Sequence, residues 1–310
     1  MNRAAVVAAA RESIAVGSKS FAAASKLFDP ATRERAWLLY AWCRRCDDIA
    51  DGQDHGHGMS RVDDAPARVR EIAVLTATAL AGKSTGEPAF DALGLVAGET
   101  NLPHHWPRDL IAGFELDAQG WQPRSGDDLY RYCYHVAGVV GCMMAVVMGV
   151  APDDEATLDR ACDLGMAFQL SNIARDVAED AAAGRCYLPL DWLSEMDVSP
   201  GELMKPHYRA RLALLVRRMT DCAAGFEASA RHGTPALPIR SAWAVLAAAN
   251  IYGAIGREVA AKGERAWDHR VVTSRAAKLR YVARAGWQAA NRGRLYPPAP
   301  RDGALWTRPR

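Results

Sequence analysis

No apolar run in this sequence is long enough to cross a bilayer: the longest charge-free apolar run, Val136 to Ala151, falls short of the roughly 18 residues that a spanning helix needs. A leader core is lacking too, because Ala4 to Ala10 is interrupted at once by Arg11 and Glu12, and there is no N-glycosylation sequon. Charge of one sign is also missing. With 38 Lys+Arg against 36 Asp+Glu the net charge is +2, which leaves no global field for nucleic acid or another polyanion. The seven cysteines are odd in number and scattered, as suits free thiols in a reducing compartment, so a cytoplasmic protein is expected.

Several metal and nucleotide sites are absent as well. No histidine has a glutamate three residues before it, which removes the di-iron bundle pattern. Cys43-x-x-Cys46 has no second CxxC and no histidine pair at finger spacing, so a zinc site is not expected. An EF-hand loop, a Walker loop and a dinucleotide glycine fingerprint are all missing. Histidines 55, 57, 104 and 105 fall in predicted loops and read as surface residues, and no Ser/His/Asp arrangement can be claimed.

What is present is a 310-residue chain, 50% hydrophobic, long enough for a sizeable core. Proline is spaced so that Ala31 to Ala65, Arg124 to Ala151, Asp153 to Leu188, His207 to Thr234 and Ile239 to Tyr296 contain none. An interior proline costs a helix about 3 kcal/mol, so these are the stretches in which long helices can run. They are rich in Ala, Leu, Arg, Glu and Met and show almost none of the alternation of a strand. The reading is all-α, with short breaks at clusters such as Gly52 to Ser60, Asn101 to Pro107 and Gly184 to Pro189. One helical domain over residues 1–291 is expected, followed by an irregular, solvated basic tail over 292–310. The Gly- and Ala-rich run from Val136 fits either close helix packing or room for a long ligand.

The informative segment is Tyr40-Ala-Trp-Cys-Arg-Arg-Cys-Asp-Asp-Ile-Ala-Asp-Gly52. At about 100° per residue, Tyr40, Arg44, Asp47 and Asp51 fall on one stripe of a helix. Like charges four residues apart weaken an isolated helix, so this pairing wants another cause. One DxxxD is a weak signal, but a second stripe recurs at Gln169, Asn172, Asp176 and Asp180. Short oxygen ligands of this kind suit Mg²⁺, which accepts one or two carboxylates together with substrate phosphate oxygens. Two such stripes facing across a cavity would clamp a phosphorylated ligand through metal.

The segments YAWCRRCDDIADG (Tyr40 to Gly52), NIARDVAEDAAAGRCYLP (Asn172 to Pro189), YCYHVAGVVG (Tyr132 to Gly141) and Gly17-Ser-Lys-Ser-Phe21, with later pieces at Ala249 to Tyr252 and Arg270 to Ser274, resemble the squalene/phytoene synthase family. The resemblance runs from about residue 15 to 290. It implies the isoprenoid synthase fold, a single helical bundle around a deep central cavity. It implies that Asp47, Asp51, Asn172, Asp176 and Asp180 hold Mg²⁺, with Mn²⁺ as a substitute, and that Gln169 stands beside the second site. Ser18, Lys19, Ser20, Arg44 and Arg270 would contact diphosphate, while Phe21, Tyr40, Tyr132 and Tyr252 would line the cavity; Arg175 and Glu179 would support the second motif.

The reaction implied is head-to-head condensation of two geranylgeranyl diphosphates to phytoene through prephytoene diphosphate, without NADPH. Squalene or dehydrosqualene synthesis from farnesyl diphosphate uses the same motifs and stays open, as does a non-catalytic membrane-associated scaffold. Peripheral contact with the inner face of a membrane is expected through the Arg-rich helix Arg209 to Arg218 or the basic tail. The sequence leaves the oligomeric state open and gives no sign of a nucleic-acid partner.

Overall fold

The computed structural model describes residues 2–52 and 64–310, except for the side chains of Lys19, Ser20 and Asp51. His55, His57 and most of the break placed at Gly52 to Ser60 lie outside the described residues. Among the described residues there are helices and no strand, as the proline spacing predicts.

The chain opens with α1 (Arg3–Gly17) and α2 (Lys19–Ser25), separated at Ser18. Ser18 has an extended backbone, ends α1, and accepts the Phe21 amide at 3.2 Å to cap α2. Helix α3 (Pro30–Asp51) starts on an Asp29 cap with proline in its first turn and stops at Gly52, whose φ of 62° suits glycine. Then follow α4 (Ala65–Leu80), α5 (Pro88–Thr100), α6 (His105–Ala118) and α7 (Gly126–Cys133). A single π turn over Tyr134–Gly138, not foreseen from the sequence, joins α7 to α8 (Val139–Val147). The long helix α9 (Glu155–Ala182) leads to the short α10 (Leu190–Glu195) and to α11 (Arg209–Arg231). The last proline-free stretch is divided into α12 (Ile239–Lys262), α13 (Arg275–Ala290) and α14 (Arg292–Leu295), with an unforeseen break at Gly263, which has a φ of 53°.

Helix α9 packs against α8, α11 and α12, and α13 lies along α12. The Gly-rich run turns out to serve packing. A Cβ on Gly141 would stand 2.2 Å from the Ala161 carbonyl oxygen, and one on Gly165 would stand 2.2 Å from that of Ala137. The backbones of α8 and the π turn thus press directly on α9. Large side chains such as Trp42, Trp106, Phe90 and Phe226 complete a continuous core.

The tail departs from expectation. It is irregular beyond α14, but it is docked rather than solvated. Glu155, Asp159 and Asp163 form an acidic stripe on α9, and the C-terminal arginines close on it. Arg301 grips the fully buried Asp163 through Nη2 at 2.6 Å and Nε at 2.9 Å. Arg308 pairs with Asp159 at 2.9 Å and with Glu155, while Arg310 reaches Asp159 at 3.2 Å. Trp306 meets Tyr134 with ring centroids 5.9 Å apart. At the Arg-rich start of α11, Arg209, Arg211 and Arg218 pair with Asp268, Asp197 and Glu195, and Leu212, Leu215 and Val216 are buried. Arg301, Arg308 and Arg310 of the tail are thus paired with acids of α9, as Arg209, Arg211 and Arg218 are with acids of their own surroundings. No helix among the described residues is long and apolar enough to cross a membrane.

Candidate functional site

The first stripe is gathered around the junction of α1 and α2. A Cβ on Gly17 would lie 2.7 Å from the Tyr40 hydroxyl, so glycine lets this junction sit directly against α3. Phe21 packs on Tyr40 with centroids 5.4 Å apart, the Arg44 guanidinium stands 5.9 Å from the same ring, and Arg44 pairs with Asp47 at 3.7 Å. Among the described residues, the buried Tyr40 hydroxyl and Arg44 Nε find no hydrogen-bond partner beyond one another. Buried polar atoms are nearly always satisfied, so this isolated pair within the first motif points to a ligand that satisfies it. Burial pushes the Tyr40 hydroxyl above its ordinary pKa and keeps it a donor. Asp51 ends the same helix, but its side chain lies outside the described set, as do those of Lys19 and Ser20. Ser18 serves as the α2 cap.

The second stripe lies on the C-terminal half of α9, where Gln169, Asn172, Asp176 and Asp180 share one face by helical register. Arg270 closes on Asp176 as a fork, with Nε and Nη2 each 3.1 Å from a carboxylate oxygen, and reaches Glu179 at 3.8 Å. Arg175 takes Asp176 from the other side, its Nε donating at 2.7 Å. Asp180 is held differently. Burial and the Asp176 charge push its carboxyl up to about 7; Arg185 opposes this, and Glu179 and Asp117 add to it.

Two of the aromatics predicted for a cavity wall have partners that the sequence reading missed. Tyr252 stacks on Phe168 at 4.2 Å. Tyr132 is buried, stacked between Tyr187 at 4.9 Å and Trp121 at 5.6 Å, and its hydroxyl donates to Asp117 at 3.0 Å. Tyr187 also donates to Asp117, at 2.9 Å. Tyr187 lies inside the second motif and Phe168 directly precedes Gln169, so both were within reach of a reading that followed the motifs outward. Asp117, one acid among many on α6, gave no such signal.

The donor set fits a hard divalent cation. Asp176 and Asp180 carry carboxylates one helical turn apart, in register with the amide side chains of Asn172 and Gln169, and burial with the Asp176 charge raises the Asp180 carboxyl. Among the described residues no three His, Cys, Asp or Glu side chains stand together as a protein-only metal cage. Zinc at Cys43 and Cys46 is further disfavoured, because burial pushes both thiols well above their ordinary pKa and a thiolate is the zinc ligand.

Residues 14–277 match the family model described as squalene/phytoene synthase. Over the full length of both chains the protein is 45% identical to a protein named 15-cis-phytoene synthase from Pantoea ananas. It is also 45% identical to a 15-cis-phytoene synthase from a Paracoccus species, covering 98% of each chain. Among solved structures it superposes on a dehydrosqualene synthase with a TM-score of 0.82 at 26% identity, covering 92% of this chain and 97% of the other. It superposes on a squalene synthase from Alicyclobacillus acidocaldarius with a TM-score of 0.72 at 23% identity, covering 84% and 94%. The architecture is the isoprenoid synthase fold. With its motifs, its helices and its relatives in agreement, the chain belongs to the squalene/phytoene synthase family of prenyltransferase-type enzymes.

Proposed function

We propose that the protein joins two geranylgeranyl diphosphates head to head, through prephytoene diphosphate, to give phytoene and two diphosphates. One observation carries the reading: the likeness to relatives named 15-cis-phytoene synthase extends from end to end, and both aspartate stripes fall within it.

The chain's residues divide the work. Arg44, through its Nε, and the Tyr40 hydroxyl donate to diphosphate oxygens, with Ser18, Lys19 and Ser20 beside them. Arg270 sits on Asp176 and is placed to exchange that carboxylate for a diphosphate. Asp47 and Asp51 from one stripe, and Asn172, Asp176 and Asp180 from the other, hold Mg²⁺, with Mn²⁺ as a substitute and Gln169 alongside. When bound, the cation stabilises negative charge on the departing diphosphate.

Departure of the first diphosphate with its bonding electrons leaves an allylic cation, and the alkene of the second substrate attacks it. Proton loss closes the cyclopropane. A second ionisation, rearrangement and a last proton loss complete the hydrocarbon. The sequence is redox-neutral, so it calls for no NADPH. Phe21 on Tyr40 and Phe168 on Tyr252 offer π faces to these cations and help keep out water, which would quench them to alcohols. The retained aspartates speak against a non-catalytic scaffold.

The test is incubation of purified protein with geranylgeranyl diphosphate and Mg²⁺, without NADPH, beside a farnesyl diphosphate control. A forty-carbon conjugated triene is expected. A thirty-carbon product from farnesyl diphosphate alone would move the substrate to the shorter class, and consumption of neither would remove the catalytic reading. Excess EDTA is expected to silence the enzyme; activity that survives it would remove the metal clamp.

A further inference from the structure

We propose that the outward face of α13 is the surface on which this protein rests against an anionic lipid membrane. The site above would then deliver its hydrocarbon next to lipid. The inference takes its purpose from the proposed function, but its first test uses no substrate.

Between Asp268 and Asp302 the chain carries eight Lys and Arg and no Asp or Glu. Helix α13 lies in the middle of this segment. Leu279, Ala283 and Trp287 recur every four residues along one stripe, with Leu279 72% and Trp287 56% exposed. Val272, just before the helix, is 72% exposed. Arg275 borders the stripe on one flank, and Arg280 and Arg284 border it on the other, all three exposed. None of these three has a carboxylate partner among the described residues; Arg280 stands only against its neighbour Tyr281, with its guanidinium 5.6 Å from that ring.

Contrast with the other basic segments gives this weight. Arg209, Arg211 and Arg218 of the α11 start and Arg301, Arg308 and Arg310 of the tail are paired with Asp268, Asp197, Glu195, Asp163, Asp159 and Glu155. Those of α13 are left over, and they flank exposed Leu and Trp. That is the composition of a helix lying in a membrane interface: an apolar stripe entering the acyl boundary and guanidinium groups spreading to anionic headgroups. A second copy of the chain is a poor occupant, because a two-fold contact would set the same arginines against one another. Position also favours lipid. The segment begins at Arg270, which grips Asp176, and α13 packs on α12, which carries Tyr252.

The test is co-sedimentation of the full-length protein with phosphatidylglycerol/phosphatidylcholine vesicles and with phosphatidylcholine vesicles. Binding to the mixed vesicles alone is expected. Arg280→Gln/Arg284→Gln should weaken it by at least tenfold, since each cation near an anionic surface contributes about fivefold. Trp287→Ala should weaken it severalfold, and Arg211→Gln/Arg218→Gln, whose cations are already paired, should bind like wild type. Turnover in neutral detergent should be unchanged in the α13 variants, which separates a lost surface from a lost fold or a failed functional reading. Equal binding to both vesicle types, no binding, or wild-type binding by both α13 variants overturns the proposal. So does a dimer in sedimentation velocity that Trp287→Ala dissociates, since that assigns the face to a second copy.

Discussion

Helix α9 carries two acidic stripes, and the chain treats them in opposite ways. Glu155, Asp159 and Asp163 occupy its first half; Asp176 and Asp180, with Asn172, occupy its last. Their middle members, Asp159 and Asp176, are separated by seventeen positions, which at about 100° per residue puts the two stripes about 100° apart around the helix. Asp163 is buried, and burial pushes its carboxyl upward, but Arg301 and Ser229 pull it back down. Asp180 is also pushed up by burial, yet most of the groups that surround it are acids. The difference is one of supplied cations. Where a carboxylate serves the fold, the chain brings an arginine from more than a hundred residues away. At Asp180, where the proposed function puts a metal ion, it sets only Arg185 against three acids.

The largest effects should come from neutralising each stripe in turn. Asp180→Asn is expected to lower turnover by about 10³-fold, while thermal unfolding stays cooperative at no lower temperature; Asp176→Asn should lower turnover as far but also cost some stability, because Arg175 and Arg270 lose their partner. Asp163→Asn should do the reverse, costing about 3 kcal/mol because the buried Arg301 loses its charge partner, with kcat/KM of the remaining folded protein close to wild type. Denaturant unfolding and steady-state assays on the same preparations decide. Equal loss of stability and activity at both stripes would erase the distinction.

A second, smaller effect separates the stripes by pH. The folded pKa of Asp180 is raised, to about 7 from an ordinary 3.8. The folded state therefore binds more protons than the unfolded one between those values, and wild-type stability falls as pH rises through that window. Each pH unit of the window is worth about 1.4 kcal/mol before solvent screening, and with screening the whole cost above pH 7 is of order 2 kcal/mol. Asp180→Asn should thus be more stable than wild type in mildly alkaline buffer without metal, and the advantage should vanish near pH 4. Because the cation must displace this proton, the Mg²⁺ needed for half-maximal activity should rise about tenfold per pH unit below pH 7. A flat Mg²⁺ requirement from pH 5.5 to 7 would show that Asp180 is not a ligand.

The contrast also explains what the sequence could reveal. Helix content was legible because proline spacing and composition act locally. The candidate site could be named from the sequence because two DxxxD segments repeat one another and resemble a family. The structural stripe at Glu155, Asp159 and Asp163 has the same four-residue spacing, but its partners lie in the C-terminal tail. No local rule connects Asp163 to Arg301, so the tail read as solvated, and the arginines starting α11 read as free for the same reason. Tyr132 was found by its motif, whereas Asp117, which orients it, stands on another helix with no motif around it. The Gly-rich run stayed open between packing and ligand space because backbone approach is a property of two helices at once.

The smallest expected effect sharpens the comparison most directly, because it changes only the supply of positive charge. Arg185 is the cation that draws the Asp180 carboxyl downward, against Asp176, Glu179 and Asp117. Arg185→Gln should move the second stripe further from the first, raising the Asp180 pKa and shifting the acidic limb of the kcat/KM profile upward by about half a pH unit. The plateau above pH 8 should be lowered by less than about threefold, because the cation competes successfully with the proton there. A shifted limb with an intact plateau identifies Arg185 as a residue that tunes Asp180 through its field. A lowered plateau with an unmoved limb would place it among the groups that hold diphosphate, and the two stripes would then differ in more than their balance of charge.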